Sequence, residues 1–190
     1  MRLFVAVEIT PELAAAARAV IAQLRHRAAR LAPDARVTWV APDRMHLTVA
    51  FIGNSDESHT ERIRSVLAPP ASLPPFDLTV DGLGAFPRAG QPRVLWAGLA
   101  RGRESLLRLE RVVASRLAEA GIAPEPRAYN PHLTLARVRD AAGLRAAALL
   151  DGVSDDPIGT IRIDAFTLFD SRLSSKGPTY VPLQRTPLQV

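Results

Sequence analysis

The sequence predicts an α+β protein of two similar lobes, each a mostly antiparallel sheet flanked by helices. Three observations predict it. Strand-like runs outnumber the helical segments between them, and several are joined by short turns, which antiparallel pairing permits and parallel pairing does not. A strand, an amphipathic helix and further strands open the chain, and a comparable series follows in its second half. Each series holds one strand with the same alternation of polar and apolar residues, His46-Leu47-Thr48-Val49 and His132-Leu133-Thr134-Leu135. The 190 residues are expected to form one bilobal domain, 1–190.

The elements follow from local chemistry. Leu3 to Ile9 is a buried strand, too short to cross a bilayer and without the charge and cleavage pattern of a signal peptide. Thr10 as N-cap and Pro11 at the first helical position, where its missing N–H costs nothing, begin a helix that runs to about Leu31. Leu13, Ala17, Val20, Leu24, Ala28 and Leu31 keep the spacing of one buried stripe, and Pro33 ends the helix. After Val37 to Val40 and a turn at Pro42-Asp43, the first motif strand spans Met45 to Ile52 and closes at Gly53-Asn54. A second helix starts near Asp56 and ends before Pro69.

The proline-rich stretch 69–76 is expected to be a surface crossover, followed by strands Phe76 to Val80 and Arg93 to Leu99 around a turn-rich segment, Gly82 to Pro92. Arg103 to Ala120 is an amphipathic helix through Leu106, Leu109, Val113 and Leu117, capped by Gly121. The second motif strand, His132 to Val138, begins after Pro131. A short helix over 141–150, a long strand Thr160 to Phe169 and a last strand around Thr179 to Leu183 complete the chain.

Composition removes several kinds of chemistry. There is no cysteine, so disulfides, thiolate nucleophiles and cysteine zinc sites are absent, which fits a reducing cytoplasmic setting. The net charge of +5 is carried by arginine, with Lys176 the single lysine, so phosphate-bearing polyanions suit the surface. An alanine- and arginine-rich composition also arises from GC-rich coding, so charge alone does not identify nucleic acid. Walker glycine loops, Gly-x-Ser-x-Gly elbows and dinucleotide fingerprints are missing.

The duplicated motif carries the functional reading. Side chains alternate faces along a strand, so each motif aims its histidine and threonine one way and buries two aliphatic residues on the other. With ten threonines and 47% apolar residues, a given histidine begins this pattern by chance roughly 1% of the time. Two of the four histidines doing so has a probability of about one in a thousand. His26 and His59, in helical segments without the motif, are assigned no role.

Two histidines facing one cleft supply an acid and a base near neutral pH, as in-line displacement at phosphorus requires. Thr48 and Thr134 are placed to donate hydrogen bonds to one bound oxyanion, and Arg137 to add a charge-assisted contact. Two histidines could also bind zinc, but a third ligand is needed and no His or Cys remains nearby, while Asp43, Asp164 and Asp170 fit turns or strand ends better. No metal or other cofactor is expected.

On these residues the chain resembles the two-histidine phosphoesterases, specifically the RNA 2′,3′-cyclic phosphodiesterases, also called the 2′-5′ RNA ligase family. The matching segments include Arg2-Leu3-Phe4-Val5-Ala6-Val7, Trp39-Val40, His46 to Gly53, Gly84-Ala85-Phe86-Pro87, Val94-Leu95-Trp96, Asn130 to Arg137, Phe166-Thr167-Leu168-Phe169 and Gly177-Pro178-Thr179-Tyr180. The resemblance covers nearly the whole chain. It implies two lobes around a central groove with one motif on each side, no metal, and opening of RNA 2′,3′-cyclic phosphates to 2′-phosphates, with 2′-5′ RNA joining as a further activity. It also implies that His46 is the acid that protonates the 3′ leaving oxygen, that His132 is the base that activates water, and that Thr48, Thr134 and Arg137 bind the phosphate. The expected partners are RNA with a 2′,3′-cyclic phosphate end or small cyclic nucleotides, with no membrane, for a monomer in the cytoplasm. Two alternatives stay open: a phosphodiesterase for a small cyclic nucleotide or a 2′-5′ oligonucleotide, and a non-catalytic module that binds RNA ends. Retention of both histidines and both threonines disfavours the second, because binding alone needs neither an acid nor a base.

Overall fold

Five apolar residues in a row, Leu3 to Val7, form the middle of β1 (Arg2–Glu8), which lies between two other strands. The computed structural model describes residues 1–88, 90–123, 128–153, 156–175 and 177–189. Helix α1 (Pro11–Leu31) starts as expected, with the Thr10 hydroxyl accepting from the Leu13 amide. Its buried stripe takes Ile21 where Val20 was expected, and Leu31 is half exposed at the last turn, beyond the reach of the core. Strand β2 (Arg36–Trp39), a 3₁₀ turn at Pro42–Arg44, β3 (His46–Asn54) and α2 (Glu57–Leu67, capped by Asp56) follow.

The middle of the chain departs from expectation in two places. A two-residue strand, β4 (Ala71–Ser72), forms within the proline-rich stretch and pairs parallel with the C-terminal strand. Strand β5 (Phe76–Phe86) runs straight through the glycines read as a turn. A register shift between Asp81 and Leu83 absorbs Gly82, and Gly84 lies under the ring of its cross-strand partner Trp96, where any Cβ would collide. Strand β6 (Val94–Arg101) and α3 (Arg103–Glu119) come next. Past the end of α3, Gly121 at φ +83° lets the Ile122 amide reach back to the Leu117 carbonyl.

Strand β7 (Leu133–Asp140) begins one residue later than expected, and α4 is only Ala146–Leu150. The single strand expected from Thr160 to Phe169 is two: β8 (Gly159–Ile163) and β9 (Ala165–Ser174) belong to different sheets, and the chain changes sheet at Asp164. Strand β10 (Gly177–Gln189) is far longer than its expected core, because it pairs along most of β9.

The result is two five-stranded sheets, ordered β3-β1-β9-β10-β4 and β2-β7-β6-β5-β8, antiparallel except at β10 and β4. The α+β class with two mostly antiparallel lobes therefore holds. The lobes are not successive halves of the chain, however: β2 joins the second sheet, and β9 and β10 return to the first. Helix α1 meets α4 and β8, α2 meets α3, and α3 meets β3. One buried cluster of mostly aliphatic side chains runs through both sheets and all four helices. No helix among the described residues is long and apolar enough to cross a membrane.

Candidate active site

Both motif strands obey the alternation read from sequence. In β3, Leu47 and Val49 are buried while His46 and Thr48 are half exposed; around β7, Leu133 and Leu135 are buried while His132 and Thr134 are half exposed. Strands β3 and β7 belong to different sheets yet touch, so the motifs meet where the lobes face each other. The Tyr129 hydroxyl, just ahead of the second motif, donates a 2.8 Å hydrogen bond to the Thr48 carbonyl in the first.

The two imidazoles are held alike. Nδ1 of His46 lies 2.9 Å from the Arg44 carbonyl oxygen, and Nδ1 of His132 lies 2.8 Å from that of Asn130. A carbonyl only accepts, so each Nδ1 carries the proton and each Nε2 is the nitrogen left for chemistry. Aromatic rings complete each setting. His46 lies 5.0 Å from both Phe4 and Tyr180, and His132 lies 5.3 Å from Phe86 and 6.3 Å from Trp96, centroid to centroid. Phe4, Ala6 and Phe169, with Tyr180 against them, form a small cluster on the groove face of the first sheet, apart from the main core.

Arg137 poses a parity problem, since an odd spacing from His132 would place it on the opposite face of a regular strand. Strand β7 is not regular. Leu95 pairs with Ala136 and Trp96 with Thr134, so an extra residue bulges between them. Leu135 and Ala136 are consecutively buried, and Arg137 emerges on the face of Thr134. Its charge acts on His46, His132 and Tyr180.

Burial pushes both imidazoles below their ordinary pKa; the carbonyl bond of each works the other way, and the Arg137 cation adds a further lowering. Both histidines are therefore largely neutral at pH 7 in the free protein. Burial likewise raises the Tyr180 phenol, against the opposing charges of Arg137, Arg44 and Arg2. A cavity of about 490 Å³ opens beside His46, with Tyr180, Arg44, Glu8 and Asp43 among its walls.

Of the five residues singled out from sequence, His46 and Thr48 lie on β3, Thr134 and Arg137 on β7, and His132 immediately ahead of β7. His59 instead bonds through Nε2 to the Ala120 carbonyl, 3.1 Å away, tying α2 to the end of α3, and His26 is exposed. Sequence reasoning gave no role to Tyr129, Tyr180, Phe4, Phe86 or Trp96. Among the described residues, no three His, Cys, Asp or Glu side chains gather as a metal site.

Two lobes that each present a histidine and a threonine, with one guanidinium acting on both imidazoles, define a two-histidine phosphoesterase. The comparisons agree and go further. Residues 7–173 match the model of the 2′-5′ RNA ligase superfamily, and the chain belongs to that family. It is 35% identical over 145 residues to the RNA 2′,3′-cyclic phosphodiesterase of Aeropyrum pernix, covering 76% of this chain and 82% of the relative. It is 31% identical to the protein of that name in Escherichia coli, over 97% of this chain and 94% of the relative. Among solved structures, a Thermus thermophilus protein superposes with a TM-score of 0.75 at 27% identity, covering 99% and 98% of the two chains. Escherichia coli LigT complexed with 3′-AMP superposes with a TM-score of 0.71 at 27% identity, covering 100% and 98%.

Proposed function

We infer that this protein hydrolyses 2′,3′-cyclic phosphate ends of RNA to 2′-phosphates. The observation that carries the reading is the matched pair of imidazoles, each locked through Nδ1 onto the carbonyl two residues earlier and each leaving Nε2 for the groove. Family membership and relatives named for this activity support it.

In the proposed step, neutral His132 accepts a proton from water at Nε2 as the water oxygen bonds to phosphorus. The bond from phosphorus to the 3′ oxygen breaks in line, and His46, protonated at both nitrogens, gives its Nε2 proton to that oxygen. Thr48 and Thr134 donate to the nonbridging oxygens, and Arg137 offsets the charge that builds on them. An anionic phosphate in the groove raises both depressed imidazole pKa values, which helps His46 to carry its proton once substrate is bound. No metal enters this step. The reading extends to an RNA end as the partner of a monomer acting in the cytoplasm, and to reversible 2′-5′ joining as the same displacement with an RNA 5′-hydroxyl in place of water.

The test is incubation with a short RNA ending in a 2′,3′-cyclic phosphate, with EDTA present. A 2′-phosphate product at an undiminished rate is expected. Loss of activity that zinc or manganese restores would overturn the metal-free step, and a 3′-phosphate product would reverse the leaving group.

A further inference from the structure

We propose that the cavity beside His46 receives the nucleotide that precedes the cyclic end, so that the protein distinguishes an RNA strand from a mononucleoside cyclic phosphate. The proposal rests on the cyclic-phosphate reading of the same groove, with His46 acting on the 3′ oxygen. Its direction follows from the shape of ribose. The 3′ carbon is bonded to C4′, which carries C5′ and the rest of the chain, whereas the terminal base hangs from C1′ on the 2′ side. A 3′ oxygen turned towards His46 therefore sends the preceding nucleotide past His46 and leaves the terminal base on the far side.

The cavity lies where that path leads. His46 is the first residue of β3, and the walls hold it together with Arg44 and Met45 ahead of it. Among the described residues the walls take nothing from the rest of β3. Thr48 and the phosphate it would hold are thus on one side of the imidazole, and the cavity is on the other. Glu8, the cross-strand partner of His46, and the first turns of α1 also line it. Its volume, about 490 Å³, is within the range of cavities that enclose a small organic ligand.

The lining suits a nucleotide better than a bare anion. Two cations, Arg18 and Arg44, are balanced by two carboxylates, Glu8 and Asp43, so no net charge gathers there. A base is neutral with donors and acceptors along its edge, and the phosphodiester that joins it to the terminal nucleotide brings a single negative charge. Guanidinium groups suit that phosphodiester, and carboxylates accept from the amino groups of a base. Glu8 is already oriented, since the Thr167 hydroxyl donates a 2.9 Å hydrogen bond to its Oε2. Half-exposed Tyr180 and the exposed rings of Pro11, Pro42 and Pro182 supply apolar faces for a base to pack on.

The test compares kcat/KM for three substrates that share a terminal uridine 2′,3′-cyclic phosphate: the mononucleoside, the dinucleotide with adenosine on its 5′ side, and that dinucleotide with an abasic site in place of adenine. The readout is the ratio of each dinucleotide to the mononucleoside, which cancels any loss of folding or of chemistry common to all three. In wild type the adenosine dinucleotide is expected to exceed the mononucleoside about tenfold or more, with the abasic one well below it. Ala15→Trp fills the cavity from the exposed side of α1 and is expected to bring the ratio to within about twofold of unity, and Arg18→Ala to lower it part of the way. A wild-type ratio near unity overturns the proposal, as does an abasic dinucleotide equal to the adenosine one, or a ratio that neither variant lowers. The cyclic-phosphate reading fails separately, if wild type opens none of the three substrates.

Discussion

Arg137 stands five residues from His132 on one strand and yet shares its face, because the β-bulge at Leu135 and Ala136 turns the strand by half a repeat between them. The cation thereby acts on His132 and on His46 of the other lobe. A regular strand would have aimed it at the opposite side.

Replacing Arg137 with Gln is expected to raise KM about 10-fold to 100-fold, the worth of a hydrogen bond to a charged group. It also removes a positive charge that lowers both imidazole pKa values, so the optimum of kcat/KM moves to higher pH. Rates from pH 5 to pH 9 at fixed salt check both effects. An unmoved optimum would mean that the guanidinium does not share the groove with the histidines.

The Tyr129 hydroxyl joins the approach to the second motif to the backbone of the first. Tyr129→Phe strands the Thr48 carbonyl, at a cost of about 1–2 kcal/mol, and lowers Tm by about 2–8 °C. Because the bond spans the lobes, kcat is expected to fall as well. A lower Tm with kcat unchanged would limit the bond to a structural role.

Gly84→Ala places a methyl group against the Trp96 ring, which in turn flanks His132. Overpacking of this kind costs about 1–3 kcal/mol. Thermal denaturation is expected to show that loss, with a drop in kcat as Trp96 shifts; an unchanged Tm would show that the ring moves freely and does not hold the imidazole.

His46→Ala and His132→Ala are each expected to lower single-turnover rates by about 10²-fold to 10⁴-fold, and the double variant to be little worse than either. Two losses that multiplied in full would place the histidines in separate steps.

The two motif strands are legible because period-two alternation needs only one strand to be seen, and the cap of α1 and the start of α2 because they depend on adjacent residues. What escaped depends on pairing. Phe4 and Ala6 sit in an apolar run that reads as uniformly buried, and only the neighbouring strands show that its second face lies under His46. The Thr160 to Phe169 run reads as one strand because the change of sheet at Asp164 leaves β-forming residues on both sides. Bulges likewise belong to a pair of strands, so the face of Arg137 could not be read from β7 alone.

The central claim, that two histidines supply the acid and the base of one step, is met most directly by the pH dependence of kcat/KM on an RNA 2′,3′-cyclic phosphate, measured at fixed salt. One group must be protonated and the other neutral, so the profile is expected to be bell-shaped. Both free-protein pKa values are lowered by burial, which places the maximum on the acid side of about 6.5, with both limbs within about two units of it. A rate that rises monotonically from pH 5 to pH 9 would mean that a single ionisation governs the reaction, and would contradict the two-histidine account.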